Sequence, residues 1–291
     1  MFGIKNKFKI QSDDTFGNNY VTVTSDDIAG YIETIHKNDI KNIVIKTYEG
    51  YNLNDIKWLE SCPFIEIVHL FCYEDNFELE GLHYLENLRV LNLNVTAKRA
   101  SQILDFSYFK NLENCSIDWN PKMKNLFNCI TIKRLYLRKY KVKNLEGISN
   151  LINLKELLIN NSSIENLEGM EMLDIEKIEL SRLRKLASLK GLESLRNNLR
   201  TLEIESCTKL DDLAYLSHLS RLEKLGINDC KEIKSLLPIK DLSNLKWLDF
   251  WGSTKIFDGD MTPCLGIGKV AFENRKHYNY TNEEIDRLNQ K

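Results

Sequence analysis

Tryptophan, tyrosine and arginine, the residue types best suited to recognising another molecule, recur here at even offsets within short alternating segments. One segment carries Arg134, Tyr136 and Arg138, with Tyr140 just beyond it. Another carries Trp247, Asp249 and Trp251, an earlier one His69 and Phe71, and Trp119 follows a fourth. Alternation places such residues on one side of an extended strand, opposite the aliphatic residues between them. Strict alternation would turn Trp119 inward, apart from the others. Trp, Tyr and Arg dominate binding hot spots because each buries a large, rigid surface and keeps a polar handle. The chemistry indicated is recognition by contact.

Bond-making chemistry has no comparable signpost. The chain holds no G-x-x-x-x-G-K-[ST], H-E-x-x-H, G-x-S-x-G or Rossmann glycine pattern. Gly266-Ile267-Gly268 leads into a strand and reads as a turn. The histidines His36, His69, His83, His218 and His277 are scattered, and only His69 falls on the recognition side. Cys62, Cys72, Cys115, Cys129, Cys207, Cys230 and Cys264 form no C-x-x-C pair, so reduced, buried thiols are expected rather than zinc or disulfide frameworks. No enzymatic activity, metal or cofactor is expected.

The segments that position these residues repeat. The string Leu/Ile-x-x-Leu-x-Leu has its fourth position at Ile43, Val68, Leu91, Cys115, Leu135, Leu157, Ile178, Leu202, Leu225, Leu248 and Val270. The spacing averages about 23 residues, within the range of leucine-rich repeats. A strand this short cannot bury its apolar face alone, and stacking equivalent strands in parallel builds one continuous core. Between strands, leucines follow at three-residue spacing: Leu79, Leu82, Leu85 and Leu88; Leu186, Leu189, Leu192 and Leu195; Leu213, Leu216, Leu219 and Leu222. That spacing predicts short helical or 3₁₀ turns behind the strands.

The stretch Leu145-Glu146-Gly147-Ile148-Ser149-Asn150-Leu151-Ile152-Asn153-Leu154-Lys155-Glu156-Leu157 resembles the leucine-rich repeat family, of the short-repeat type found in bacterial internalins and SDS22-like proteins. The resemblance implies an α/β solenoid: a right-handed, curved horseshoe with about eleven parallel strands on its concave face and short helical or 3₁₀ turns on its convex face. The family places Asn or Cys three residues after the second strand leucine. Asn120, Cys207 and Cys230 fit, Ser162 and Ser253 occupy equivalent slots, and Leu183 and Arg275 predict local irregularity.

Three segments are expected: an N-terminal cap over 1–40, repeats over 41–276 and a C-terminal capping segment over 277–291. In the first, Phe8 and Ile10, then Val21 and Val23, flank Gly17-Asn18-Asn19 as a hairpin. Ser25 reads as the N-cap of an amphipathic helix bearing Ile28, Tyr31, Ile32 and Ile35. In the last, Thr281-Asn282-Glu283-Glu284 is a capping box, with Ile285 and Leu288 sharing one face.

A formal net charge of −2 provides no global attraction to nucleic acid or membrane. Charge is instead segregated. Eight basic and no acidic residues lie between Asp118 and Glu146, and Glu179, Glu203, Glu205, Asp229 and Asp249 follow on strand positions. That acidic half argues against a long nucleic-acid tract, although Tyr136 and Tyr140 beside basic residues are suited to base stacking. The N-terminus lacks an apolar run of signal-peptide length, which leads to the expectation of a cytoplasmic protein. Abundant Lys, Asn and Ile suggest an AT-rich bacterial genome. Together these features predict a monomeric, non-enzymatic module that binds a protein partner through the concave face. The site residues would be His69, Phe71, Trp119, Arg134, Tyr136, Arg138, Trp247, Asp249 and Trp251. The alternatives are an immunity or antitoxin-like inhibitor of a toxin domain, and a leaderless bacterial effector.

Overall fold

A computed structural model describes residues 8–74, 76–95 and 104–290. The chain divides into two compact units, 1–134 and 135–291. The first contains β1 (Ile10–Asp13), β2 (Gly17–Val23), α1 (Ile28–Lys37), β3 (Asn42–Lys46), β4 (Ile67–Cys72), β5 (Val90–Val95) and β6 (Asn114–Asp118). The second runs from β7 (Arg134–Arg138), which begins at the boundary, through β8 (Glu156–Asn160), β9 (Lys177–Ser181), β10 (Thr201–Glu205) and β11 (Lys224–Asn228). There follow β12 (Glu232–Ile233), β13 (Trp247–Phe250), β14 (Lys255–Ile256), β15 (Lys269–Phe272) and α2 (Asn282–Asn289). Within each unit the sheet order is the chain order, and β12 and β14 form a separate parallel pair.

This is a leucine-rich repeat fold, and the register establishes it. Ile43 faces Val68, Val68 faces Leu91, and Leu91 faces Cys115. In the second unit Leu157, Ile178, Leu202, Leu225, Leu248 and Val270 align in the same way. Each of these side chains is buried. Behind the strands, the three-spaced leucines are buried too, in 3₁₀ turns such as Glu80–Tyr84, Leu192–Leu195 and Ala214–His218. Among the described residues, β2 adds a parallel strand ahead of the first marker, pairing with β3 through Val21 and Ile43.

Two backbone devices recur. At most of the markers the carbonyl two residues earlier accepts two N–H groups from the next repeat: Glu66 O takes Arg89 N and Val90 N at 2.8 and 3.0 Å, and Glu223 O takes Lys246 N and Trp247 N at 2.8 and 3.0 Å. Just past the strands, Asn161, Arg182, Ser206 and Asp229 all adopt positive φ. Each donates its N–H to the following repeat, to the carbonyls of Ser181, Glu205, Asn228 and Trp251. Left-handed backbone is costly for residues other than glycine, and this bond offsets the cost at every step.

The slot three residues after the second strand leucine behaves as its chemistry allows. The thiols of Cys207 and Cys230 donate to backbone carbonyls of their own and the preceding repeat. Ser162 Oγ accepts Tyr140 N at 3.0 Å. The equivalent acceptor for Cys230 N is Thr254 Oγ1 at 2.9 Å, one residue later than the spacing to Ser253 indicates. Contrary to the expected irregularity, Leu183 fills its slot as a fully buried side chain, and Arg275 Nη2 reaches Gly252 O at 2.9 Å.

The ends differ from the sequence reading in three details. The first turn lies at Asp14–Phe16 rather than Gly17–Asn19, because Asp13 Oδ1 accepts both Thr15 N and Phe16 N and closes the chain there. Asp27, not Ser25, caps α1 by accepting Gly30 N, while Ser25 Oγ accepts Asn52 N. In α2 the capping box forms between Thr281 and Glu284 and Ile285 is buried, but Leu288 is 41% exposed. The last strand edge is closed by an amide: Asn282 Oδ1 accepts Phe272 N at 2.7 Å and its Nδ2 donates to Val270 O at 3.3 Å. That side chain stands in for a further strand and blunts an edge open to pairing.

Candidate partner-binding face

In the second unit, the sheet face turned away from the leucine core is organised in rows. One row is Lys177, Thr201, Lys224, Trp247 and Lys269, and the next is Glu179, Glu203, Gly226, Asp249 and Ala271. The acidic row is neutralised from below. Lys177 Nζ lies 2.6 Å from Glu179 Oε1, and Lys224 Nζ lies 2.6 Å from Glu203 Oε1. Glu203 also holds the Lys224 ammonium above its ordinary pKa. Gly226 makes room for this arrangement, since a Cβ there would overlap the Glu203 carboxylate. Of the acidic residues anticipated from sequence, Glu179 and Glu203 are therefore ion-paired, while Glu205, Asp229 and Asp249 accept from neutral donors.

Trp247, Asp249 and Trp251 come together on this face. Trp247 Nε1 donates to Asp249 Oδ1 at 2.7 Å, and Asn228 Nδ2 donates to Asp249 Oδ2 at 2.8 Å. The same Asn228 accepts Trp251 N through Oδ1 at 2.8 Å, so one amide ties both tryptophans to one carboxylate. Lys269 Nζ sits 3.9 Å from the Trp247 ring centroid and Lys224 Nζ 5.4 Å. Trp247 is 36% and Trp251 45% exposed. Tyr136 and Arg138, on β7, are half-buried, and Arg138 lies 5.0 Å above the Tyr136 ring. Tyr140 is buried and belongs to the core.

The first unit holds the remaining candidates, and His69 there is not an open-face residue. It is 8% exposed, with Phe16 from the hairpin turn lying edge-on at 5.1 Å. Phe16 also contacts half-buried Phe71 at 5.9 Å. Trp119 is half-buried beside a cavity of about 240 Å³ lined by Met123, Leu126 and Phe127, and Arg134 is exposed.

Sequence reasoning missed Asn228 and Lys269, which wire the tryptophans, and also an ion ladder two residues before each marker. There Glu66, Arg89, Glu113 and Lys133 alternate in charge and pair at 3.5, 3.0 and 2.8 Å. In the second unit, Arg200, Glu223 and Lys246 pair at 2.5 and 2.8 Å. All are solvated, so each pair contributes little to stability. The ladder was legible as alternating charge at one fixed offset from the markers.

Two histidines set a pH response. Burial lowers the pKa of both His69 and His83. His83 is stacked on Tyr108 at 4.4 Å, and its Nε2 accepts Asp105 N at 3.2 Å, which requires that nitrogen to be unprotonated. The unfolded chain therefore binds more protons below the ordinary imidazole value of about 6.5. Stability from these groups is fully present above that pH and is lost as pH falls below it. Thermal melts are expected to show a lower Tm at pH 5 than at pH 7, with the difference reduced in His83→Gln; an unchanged or higher Tm at pH 5 contradicts this.

Among the described residues, no group of three or more His, Cys, Asp or Glu side chains is arranged to hold a metal ion, and no helix is long and apolar enough to cross a membrane. All seven cysteines are buried thiols outside any disulfide. Burial pushes the thiols of Cys62 and Cys129 up to about 11 and that of Cys264 up to about 12, far from nucleophilic thiolates at neutral pH.

No protein-family model and no curated protein matches this chain. Among solved structures it is similar to internalin C2 of Listeria monocytogenes, at 23% identity over 74% of this chain and 84% of that one, with a TM-score of 0.49. It is similar also to an internalin F of the same organism, at 19% identity over 82% and 78%, TM-score 0.40. A leucine-rich repeat protein of Leptospira interrogans shares 18% identity over 82% and 66%, TM-score 0.46. The repeat register above, rather than these likenesses, carries the fold.

Proposed function

We propose that this chain is a non-enzymatic protein-binding module, and that its open sheet face engages a protein partner with Trp247 and Trp251 as anchors. The observation that carries this reading is the pair of exposed tryptophans fixed by one Asn228–Asp249 hydrogen-bond system. The Trp247 ring is held by its own bond to Asp249, and the Trp251 backbone by Asn228; groups held in place before binding lose less conformational freedom on association, so more of their contact area appears as affinity. The surrounding Lys177–Glu179 and Lys224–Glu203 pairs present both signs of charge, which suits a polar rim around an aromatic centre.

The test begins with affinity capture from the native host, followed by titration of the captured protein against purified variants. Trp251→Ala is expected to weaken binding by roughly 2 kcal/mol, about 30-fold, while its melting temperature stays that of the wild type. Tyr136→Ala would show a comparable loss if the partner extends along the face to β7. Affinity within about 0.5 kcal/mol of wild type for both variants would remove the open face from the interface.

A further inference from the structure

The open face of the first unit is already occupied, by the chain itself. Phe16 lies against Tyr20, His69 and Phe71 with ring centroids 5.4, 5.1 and 5.9 Å away, and Lys46 Nζ sits 5.3 Å from its ring. Its carbonyl accepts Asn42 Nδ2 at 2.6 Å. The residues beneath are buried as a core would be: Val44, beside His69 in register, is fully buried although it points away from the leucines. From this geometry we propose that Tyr20, Asn42, Lys46, His69 and Phe71 form a peptide-binding seat for an aromatic residue, and that Phe16 is its displaceable internal occupant.

Two observations support displacement rather than simple packing. First, the occupant fits the seat incompletely. Asn42 Oδ1 and His69 Nδ1 are both buried and have no hydrogen-bond partner among the described residues. Asn42 spends its Nδ2 on the Phe16 carbonyl, and an extended peptide can present a carbonyl and an N–H to one side-chain amide together. The hairpin turn instead directs the N–H groups of Thr15 and Phe16 to Asp13 Oδ1, at 2.8 and 2.7 Å. A buried acceptor left unpaired carries the full cost of its lost hydration, and an incoming strand with an N–H aimed at Asn42 Oδ1 recovers it. Second, the hairpin is weakly anchored. β1 has no buried residue, Ile10 is 38% exposed, and its pairing with β2 is irregular between Gln11 and Asp13. Its side-chain anchors are few and lie near the surface: the Tyr20 hydroxyl donates to Asp13 Oδ2 at 2.6 Å, Gln11 Nε2 to Thr22 Oγ1 at 3.2 Å, and Asn19 N to Ser12 Oγ at 3.1 Å. Segments with so little burial open locally at far lower cost than the whole fold.

The partner this seat fits is a peptide segment in extended conformation carrying a phenylalanine, its ring under Lys46 and its backbone paired with Asn42. The proposal involves none of the tryptophans above and stands independently of them. The probe is N-acetyl-phenylalanine N-methylamide, which supplies the ring, a carbonyl and an N–H, with N-acetyl-alanine N-methylamide as control. Binding is read by NMR from the His69 ring and the Asn42 side-chain amide. Phe16→Ala is expected to show saturable shifts at both with the phenylalanine probe, at on the order of millimolar affinity for so small a ligand. The wild type should respond at least tenfold more weakly, and the alanine control should shift neither protein. Equal response of wild type and Phe16→Ala, or no response of the variant, overturns the proposal. If Phe16→Ala loses the wild-type circular dichroism, amide exchange in the unaltered protein decides instead. The Thr15 and Phe16 amides, which the turn closes on Asp13, should exchange at least 100-fold faster than that of Leu70, and equal rates overturn it.

Discussion

Replacing Leu202 with alanine is expected to lower the unfolding free energy by roughly 2–5 kcal/mol. Leu202 is fully buried on β10, aligned with Ile178 on one side and Leu225 on the other, both fully buried as well. Truncation removes apolar area worth about 25 cal/mol per Å² and leaves a cavity whose walls are fixed by the strand ladder on both flanks. Each repeat contacts mainly its neighbours, so no distant element can move in to fill the gap. Thr201, one residue earlier and half-buried on the other face, provides the contrast: Thr201→Ala should stay within about 0.5 kcal/mol. Urea unfolding of the two variants beside wild type measures both. A Leu202→Ala cost below about 0.5 kcal/mol would place that side chain outside the core and shift the register of β10.

The register was readable because a period of about 23 residues specifies pairing directly. Once Ile178, Leu202 and Leu225 are seen as equivalent, their alignment follows with no knowledge of long-range contacts. Local chemistry was harder to read where two residues competed for one role. Ser25 and Asp27 are both good caps; Ser25 was taken by Asn52 and Gly50 in the next turn of chain, leaving α1 to Asp27. In the hairpin, Asp13 drew the turn to itself and away from Gly17. The recognition face was legible in residue type, since Trp247, Asp249 and Trp251 stood out by spacing, but not in wiring. Asn228 lies a repeat away, and nothing in its own segment marks it as the link between two tryptophans. The covering of His69 was hidden for the same reason: alternation put it on the side away from the leucines, but Phe16, more than fifty residues earlier, lies over it. Repeats predict what stacks on the next repeat, and they are silent about what folds over the sheet from outside the period.

Replacing Gly191 with alanine is expected to cost as much as the core truncation, roughly 2–5 kcal/mol, through the backbone instead of the core. Gly191 closes the Leu189-Lys190-Gly191-Leu192 turn at φ +108°, where an L side chain is strained by about 1–3 kcal/mol. A Cβ there would also overlap the carbonyl of Leu167 and the N of Glu168 in the preceding repeat. That backbone cannot retreat, because Leu167 N donates to Lys190 O at 2.8 Å and holds the two turns together. Forced overpacking typically adds about 1–3 kcal/mol. Gly169 repeats the arrangement one step earlier, at φ +107° over Leu145 and Glu146, with Leu145 N donating to Glu168 O at 2.7 Å. The two sites share the Glu168 turn, so their effects should not simply add. Each substitution crowds the Glu168 turn from a different side, so the double variant leaves that turn no direction in which to retreat. Urea unfolding of Gly169→Ala, Gly191→Ala and the double variant measures this. A double-variant loss above the sum of the singles shows that adjacent repeats pack through these glycines, whereas strict additivity would reduce each to a local strain of its own turn.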